Sequence, residues 1–200
     1  RARLSLDEKL RAVERIADAV GFAHEKGIIH RDLKPANVMI DRHGQVYVMA
    51  FGLAKETAVE GQSLTGTNAV VGTPNYMAPE QARGRATAQS DVYGIGAILY
   101  ELITGRPPFT GETAGDVLAQ VVTADPIRPR SLAPSIRPAV EAVILKALER
   151  EPARRSRQVA ELSEDLRACL SGEPLRHAVR ATWSYVLARK IRKQPLLSGA

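Results

Sequence analysis

A mainly α-helical bundle with one small β-hairpin is the architecture these 200 residues specify. Two patterns carry that reading. Several stretches repeat apolar residues at helical spacing, and a pair of short β-rich runs flanks a turn that ends in glycine. A third pattern concerns function. Residues 52–75 are rich in Gly, Ser, Thr and Asn and have no periodicity, and so long a loop is uncommon unless it is used.

The first helix starts at Ser5-Leu6-Asp7-Glu8, with Ser5 as N-cap and Glu8 closing a capping box. Leu6, Leu10, Val13, Ala17 and Val20 form its apolar stripe, and Gly27 stops it. "VMI" (38–40) and "QVYVM" (45–49) pair as the hairpin across "DRHG". From Ser90, "SDVYGIGAILYELITG" is apolar nearly all round, the mark of a buried helix. A weaker helix covers roughly 112–124, and "DPIRPRSLAPSIRP" is a proline-rich connector. Pro138 falls in the first turn of the next helix, where proline is tolerated, and Val140, Val143, Ile144, Ala147 and Leu148 follow. Ser156 opens a last helix through Leu170, stopped by Gly172. No internal repeat is present.

Composition narrows the class. A single cysteine, Cys169, cannot form an internal disulfide, has no ligand cluster around it and fits a reducing compartment. No run approaches eighteen apolar residues, so nothing in these residues reads as a membrane span, and no signal peptide is seen. The net charge is +6, but +5 of it lies from Glu173 onward, in Arg176, Arg180, Arg189, Lys190, Arg192 and Lys193 against one acid. The body of the chain is close to neutral, which weakens a nucleic-acid reading.

The chemistry concentrates in "HRDLKPAN" at 30–37, which sets an acid, a lysine and an amide within six residues on a loop before a strand. Phosphoryl transfer needs those groups together. A carboxylate takes the proton of the attacking hydroxyl, a cation offsets charge on the moving phosphoryl group, and an amide oxygen helps to hold Mg²⁺. "AFG" follows at 50–52, "GTPNYMAPE" at 72–80 and "SDVYGIGAILYELITGRPPF" at 90–109. In that order and spacing the chain resembles the protein kinases, over roughly residues 5–172. Lys34, two residues after Asp32, is the serine/threonine form of the loop, while Thr65 and Thr67 in "SLTGTNAVVGTP" and the segment after the lobe resemble those of bacterial eukaryotic-like, receptor-type kinases.

The resemblance implies a kinase large (C-terminal) lobe over 1–172, with the catalytic loop at 30–37 and an activation segment at 50–80, followed by a basic tail at 173–200. It implies Asp32 as catalytic base, Lys34 as γ-phosphate contact and Asn37 as Mg²⁺ ligand. Thr73 would bridge Asp32 and Lys34, and Met39 would lie beneath the adenine of ATP. His30 and Phe51 would stack in a spine, Asp91 would hold the catalytic loop's backbone, and Glu80 would pair with Arg155. His24, His43 and His177 read as ordinary helix or turn residues. For Arg31 two readings stand. It docks a loop phosphorylated at Thr65 or Thr67, or that loop is merely solvated.

Two expected features are missing. Ala50 stands where the family has an aspartate that chelates Mg²⁺, and a methyl group cannot ligate a hard cation. Losing that donor forfeits about 4 kcal/mol of transition-state stabilisation, about a thousandfold in rate. These residues also contain no glycine-rich phosphate loop and no "VAIK"-like strand lysine, so the N-terminal β lobe is absent and ATP and Mg²⁺ would bind weakly at best. The expectation is a partial serine/threonine kinase domain, inactive or nearly so, whose complete parent phosphorylates Ser or Thr of proteins. The alternative is a non-catalytic pseudokinase module that binds protein partners through "GETAGDVLAQVV" and the groove above it. The tail, with Val179, Trp183, Val186 and Leu187 at helical spacing, is either a juxtamembrane segment on the cytoplasmic side or a last helix packed on the lobe.

Overall fold

The computed structural model describes residues 4–51 and 74–178. Helix α1, Leu6–Glu25, opens on the Ser5–Glu8 capping box, in which Ser5 N donates to Glu8 Oε2 at 2.7 Å and Glu8 N to Ser5 Oγ at 3.3 Å. The short strands β1 (Val38–Ile40) and β2 (Val46–Val48) pair antiparallel, with Val38 opposite Val48, Met39 opposite Tyr47 and Ile40 opposite Val46. Asp41 makes their turn, its Oδ1 accepting from His43 N at 2.8 Å and Gln45 N at 2.9 Å, while Gly44 takes the left-handed conformation. Val38, Val46 and Val48 pack toward the main core, and Met39 and Tyr47 face away, half-exposed.

Helix α2, Ala88–Thr104, is the axis of the bundle. Every residue from Ser90 to Tyr100 is buried, as its all-round apolar character requires. It starts two residues before Ser90 because Thr87 makes the cap, with Ser90 closing the box. Helices α1, α5 (Pro138–Ala147) and α6 (Val159–Ser171) surround it, and α1 also packs along α6. Leu10, Val13, Val20, Ile95, Leu99, Ile144, Leu162 and Leu166 are among the side chains this seals, each contributing on the order of 1.5–3 kcal/mol by burial. Two α2 glycines permit close approaches. A Cβ at Gly96 would sit 2.6 Å from that of Ala147, and one at Gly94 would sit 2.9 Å from that of Leu33.

Helix α3, Ala114–Thr123, forms a separate small core in which Val117 and Val121 cover Phe109. The connector carries one short helix, α4 (Pro129–Leu132), tied to α5 through Glu141, which accepts from Arg130 N and Arg128. Helix α6 begins three residues beyond Ser156. Ser156 is buried in the preceding turn, and the Glu161 carboxylate accepts from Arg157 N at 2.8 Å. After Gly172 the chain turns back, and the amides of Arg176, His177 and Ala178 donate to the buried Asp165 carboxylate at 2.8, 3.1 and 2.7 Å. Ala178 is fully buried in the main core. No helix among the described residues is long and apolar enough to cross a membrane.

Candidate active site

The loop 30–37 lies across the middle of α2 and is held there by its backbone. Leu33 is buried against Gly94, and the carboxylate of Asp91, 1% exposed, receives three donors. Asp91 Oδ2 accepts from His30 N at 2.8 Å and from His24 Nε2 at 2.7 Å, and Oδ1 accepts from Arg31 N at 2.9 Å. A buried carboxylate satisfied in this way fixes whatever donates to it. Arg31 adopts the left-handed φ of 71°. Its Nε is buried without a partner among the described residues.

Beyond that clamp the polar side chains converge. Asp32 Oδ2 lies 2.7 Å from Lys34 Nζ and accepts from Asn37 Nδ2 at 3.1 Å, while the Asp32 carbonyl accepts from the same amide at 2.7 Å. Asn37 ends a 3₁₀ turn, Pro35–Asn37, that proline begins. With Nδ2 spent on Asp32, the Asn37 side chain keeps its oxygen for another ligand. The Asp32 side chain remains about half-exposed, facing solvent rather than the core.

The second segment is the turn at 49–51. Met49 N donates to the Asn37 carbonyl at 2.8 Å, and the Met49 carbonyl accepts from His30 Nε2 at 2.8 Å. With Nε2 carrying hydrogen, His30 Nδ1 is free to accept from Asp32 N, at 3.3 Å, so one tautomer serves both bonds. The His30 and Phe51 rings meet with centroids 4.6 Å apart, tilted by 59°. Between Met49 and Phe51, Ala50 sits at φ 64°, left-handed like Arg31. Met39 stands half-exposed on the neighbouring hairpin.

A buried ion pair frames the far side. Arg155 reaches Glu80 through two bonds of 2.7 Å, and Ser90 Oγ donates to Glu80 Oε1 at 2.7 Å. Arg155 also donates to the carbonyls of Glu149, Gln89 and Arg150, so every part of its guanidinium is used. Burial alone would push the Glu80 carboxyl up. The Arg155 guanidinium, with Ser90, more than offsets this and holds it below the usual carboxylate range. Two residues of the adjoining 3₁₀ turn, Pro74–Tyr76, reach across: Asn75 donates to the Phe109 carbonyl at 2.8 Å and Tyr76 to Glu101 at 2.6 Å.

Comparison with known proteins shows the family. The protein kinase domain matches residues 2–165. The chain belongs to the protein kinase family. It is 48% identical over 168 residues to the serine/threonine-protein kinase PknB of Mycobacterium tuberculosis, covering 82% of this chain and 27% of that protein. It is 45% identical over 161 residues to a probable serine/threonine-protein kinase of Streptomyces coelicolor, covering 80% of this chain and 24% of that one. The chain therefore spans about a quarter of the length of these relatives. Its fold is similar to the crystal structure of Rad53 1–466 in complex with AMP-PNP, with a TM-score of 0.66 and 27% identity, over 81% of this chain and 40% of the other. The mainly α, kinase-like large lobe is thus the fold of this chain, with a two-stranded sheet among the described residues.

Within this kinase lobe, His30, Asp32, Lys34, Asn37, Phe51 and Asp91 come together in one neighbourhood, and Glu80 and Arg155 meet in another. Thr65, Thr67 and Thr73 lie outside the described residues. Sequence reasoning passed over His24. Its signal was the α1 stripe itself: His24 continues Leu10, Val13, Ala17 and Val20, and a polar residue on a buried stripe calls for a buried partner. Family membership implies ATP and Mg²⁺, and the residues present fit the metal poorly. Asn37 offers one amide oxygen, Ala50 offers a methyl, and no group of three or more His, Cys, Asp or Glu among the described residues is set to hold a cation.

Proposed function

We propose that this chain is the large lobe of a serine/threonine protein kinase domain, assembled for phosphoryl transfer but lacking a metal-binding acid, and that it transfers no phosphate by itself. The assembled trio of Asp32, Lys34 and Asn37 on a loop clamped by Asp91 carries the reading. Asp32 would accept the proton of a Ser or Thr hydroxyl, and Lys34 would steady both that carboxylate and the incoming phosphate charge. Thr73 would bridge the two, and Met39, half-exposed on the hairpin, would support an adenine. A complete parent with an acid at position 50 would use ATP and Mg²⁺ on protein substrates. No step is assigned to the metal here, because Ala50 leaves its donor set incomplete.

Arg31 is proposed as the docking cation for phosphate on Thr65 or Thr67, in keeping with its Nε, buried and without a partner among the described residues. We also place the lobe on the cytoplasmic side of a membrane, with the basic tail from Arg176 to Lys193 near anionic lipid. Ala50 specifically favours a second reading, a pseudokinase that binds protein partners through the α3 surface. Purified chain, free of other kinases, incubated with radiolabelled ATP, Mg²⁺ and a generic Ser/Thr substrate tests the main claim. We expect no incorporation above background, and Mg²⁺-dependent labelling would overturn the inactive assignment.

A further inference from the structure

We infer that Gln81 is a positioning residue for Asp32: its side-chain amide grips the peptide bond that carries the base, from the side opposite Asp91. The statement that Asp32 is a base rests on the proposed function, whereas the grip itself rests on geometry. Gln81 Nε2 donates to the Arg31 carbonyl at 2.6 Å, and Gln81 Oε1 accepts from Ala78 N at 3.0 Å. The Arg31 carbonyl belongs to the peptide plane joining Arg31 to Asp32. On the other side of Arg31, its own N–H is held by Asp91 Oδ1 at 2.9 Å. The one residue of this loop with a positive φ, 71°, is therefore fixed at both of its backbone polar groups by two different side chains. A conformation that an L-residue disfavours persists where its surroundings over-determine it, and these two side chains supply that determination.

The amide has only one workable orientation. Reversed, it would set Nε2 against a backbone N–H and Oε1 against a carbonyl, losing both bonds. Its root is equally fixed. Gln81 follows Glu80, which is locked to Arg155 and Ser90, and it begins the 3₁₀ turn Gln81–Arg83. Asparagine, shorter by one methylene, could not span from Ala78 N to the Arg31 carbonyl. Gln81 thereby ties the loop bearing Asp32 to the segment Pro74–Arg83, whose Asn75 and Tyr76 anchor on Phe109 and Glu101. Movement of that segment is transmitted to the base through the Gln81 amide.

The 200-residue chain itself serves for the test, by nuclear magnetic resonance of isotope-labelled protein. Gln81→Glu keeps the shape but puts oxygen against the Arg31 carbonyl, and Gln81→Met keeps the length but makes neither bond. Both should move the Asp32 amide nitrogen and Arg31 carbonyl-carbon signals and speed exchange of the Asp32 and Leu33 amides about tenfold, while α2 and α6 amides keep their protection. Unchanged Arg31 and Asp32 signals in both folded variants would overturn the inference. Should the variants not fold, wild type decides: protection of a Gln81 side-chain amide proton supports the grip, and exchange of both protons as fast as in free glutamine refutes it. None of these readouts needs phosphotransfer, so a failure of the kinase reading would leave this result standing, and the reverse. In a two-lobed form with an acid at position 50, the same variants should lower kcat about tenfold with KM for ATP little changed.

Discussion

Arg31 and Ala50 are the two non-glycine residues with positive φ among the described residues, at 71° and 64°, and they lie in two segments joined by the His30–Met49 hydrogen bond. Around Arg31 the whole apparatus survives. Asp91 holds its N–H, Gln81 its carbonyl, and the next residue is the acid Asp32. Around Ala50 the backbone apparatus survives as well, since Met49 is held through both its N–H and its carbonyl and Phe51 rests on His30. What differs is the side chain the turn displays. A left-handed turn held on both flanks presents nothing but a methyl group. The contrast separates two components of the proposed site: the frame that aims a group, and the group.

The largest expected effect restores the displayed group. In a two-lobed form of this domain, Ala50→Asp should raise phosphate transfer by about a thousandfold, the worth of about 4 kcal/mol of metal-borne stabilisation. A radiolabel transfer assay reads this directly. If the acid returns and the rate does not, the turn at 49–51 is not an intact frame, and the two segments differ in more than one side chain.

Next in size is a break in the ion pair that anchors the segment bearing Gln81. Arg155→Ala leaves Glu80 charged and buried without its partner, which should cost about 3–5 kcal/mol in urea unfolding. The wild-type pH profile sharpens this. The Glu80 carboxyl is held below its ordinary range in the folded chain, so the unfolded state binds the proton more readily. The stability it lends is then fully present above the unfolded-state value and fades as pH falls through the folded one. Arg155→Ala should flatten that acid limb, and an unchanged limb would assign it to another carboxylate.

Legibility in the sequence followed the same division. The helices announced themselves wherever an apolar stripe met a cap, as at Ser5 and Glu8, and α2 did so by lacking any polar face. Helix starts were displaced where a cap competed with its neighbours: Thr87 outranked Ser90 at α2, and Ser156 was drawn into a buried turn before α6. Residues set close together in the sequence, the acid Asp32, the lysine Lys34 and the amide Asn37, were visible as a group, with their roles implied only by the resemblance to the protein kinases. Of those acting through a neighbour's backbone, Asp91 was reached through the family resemblance and Gln81 not at all. Gln81 and the turn-back onto Asp165 depend on which carbonyl or amide the fold brings near, and one-dimensional spacing does not encode that. His24 lay between these cases, visible as a polar residue on an apolar stripe, though its partner sixty-seven positions away was not.

The smallest expected effect tests the frame at position 50 without chemistry. An alanine in the left-handed region sacrifices about 1–2 kcal/mol to contact between its Cβ and the following carbonyl. Glycine escapes that contact but gives up about 0.4–1 kcal/mol through the freedom it gains in the unfolded chain. Ala50→Gly should therefore stabilise the lobe by roughly 0.5–1 kcal/mol in urea unfolding. Ala50→Asn, which tolerates the same φ while keeping the unfolded chain restricted, should do at least as well. Ala50→Val should go the other way, because a β-branched residue suits this region least. A series in which glycine and asparagine destabilise would mean that the turn relaxes out of its left-handed form in solution. The vacancy at Ala50 would then be a loss of backbone as well as of an acid, and Ala50→Asp should fall short of its thousandfold recovery.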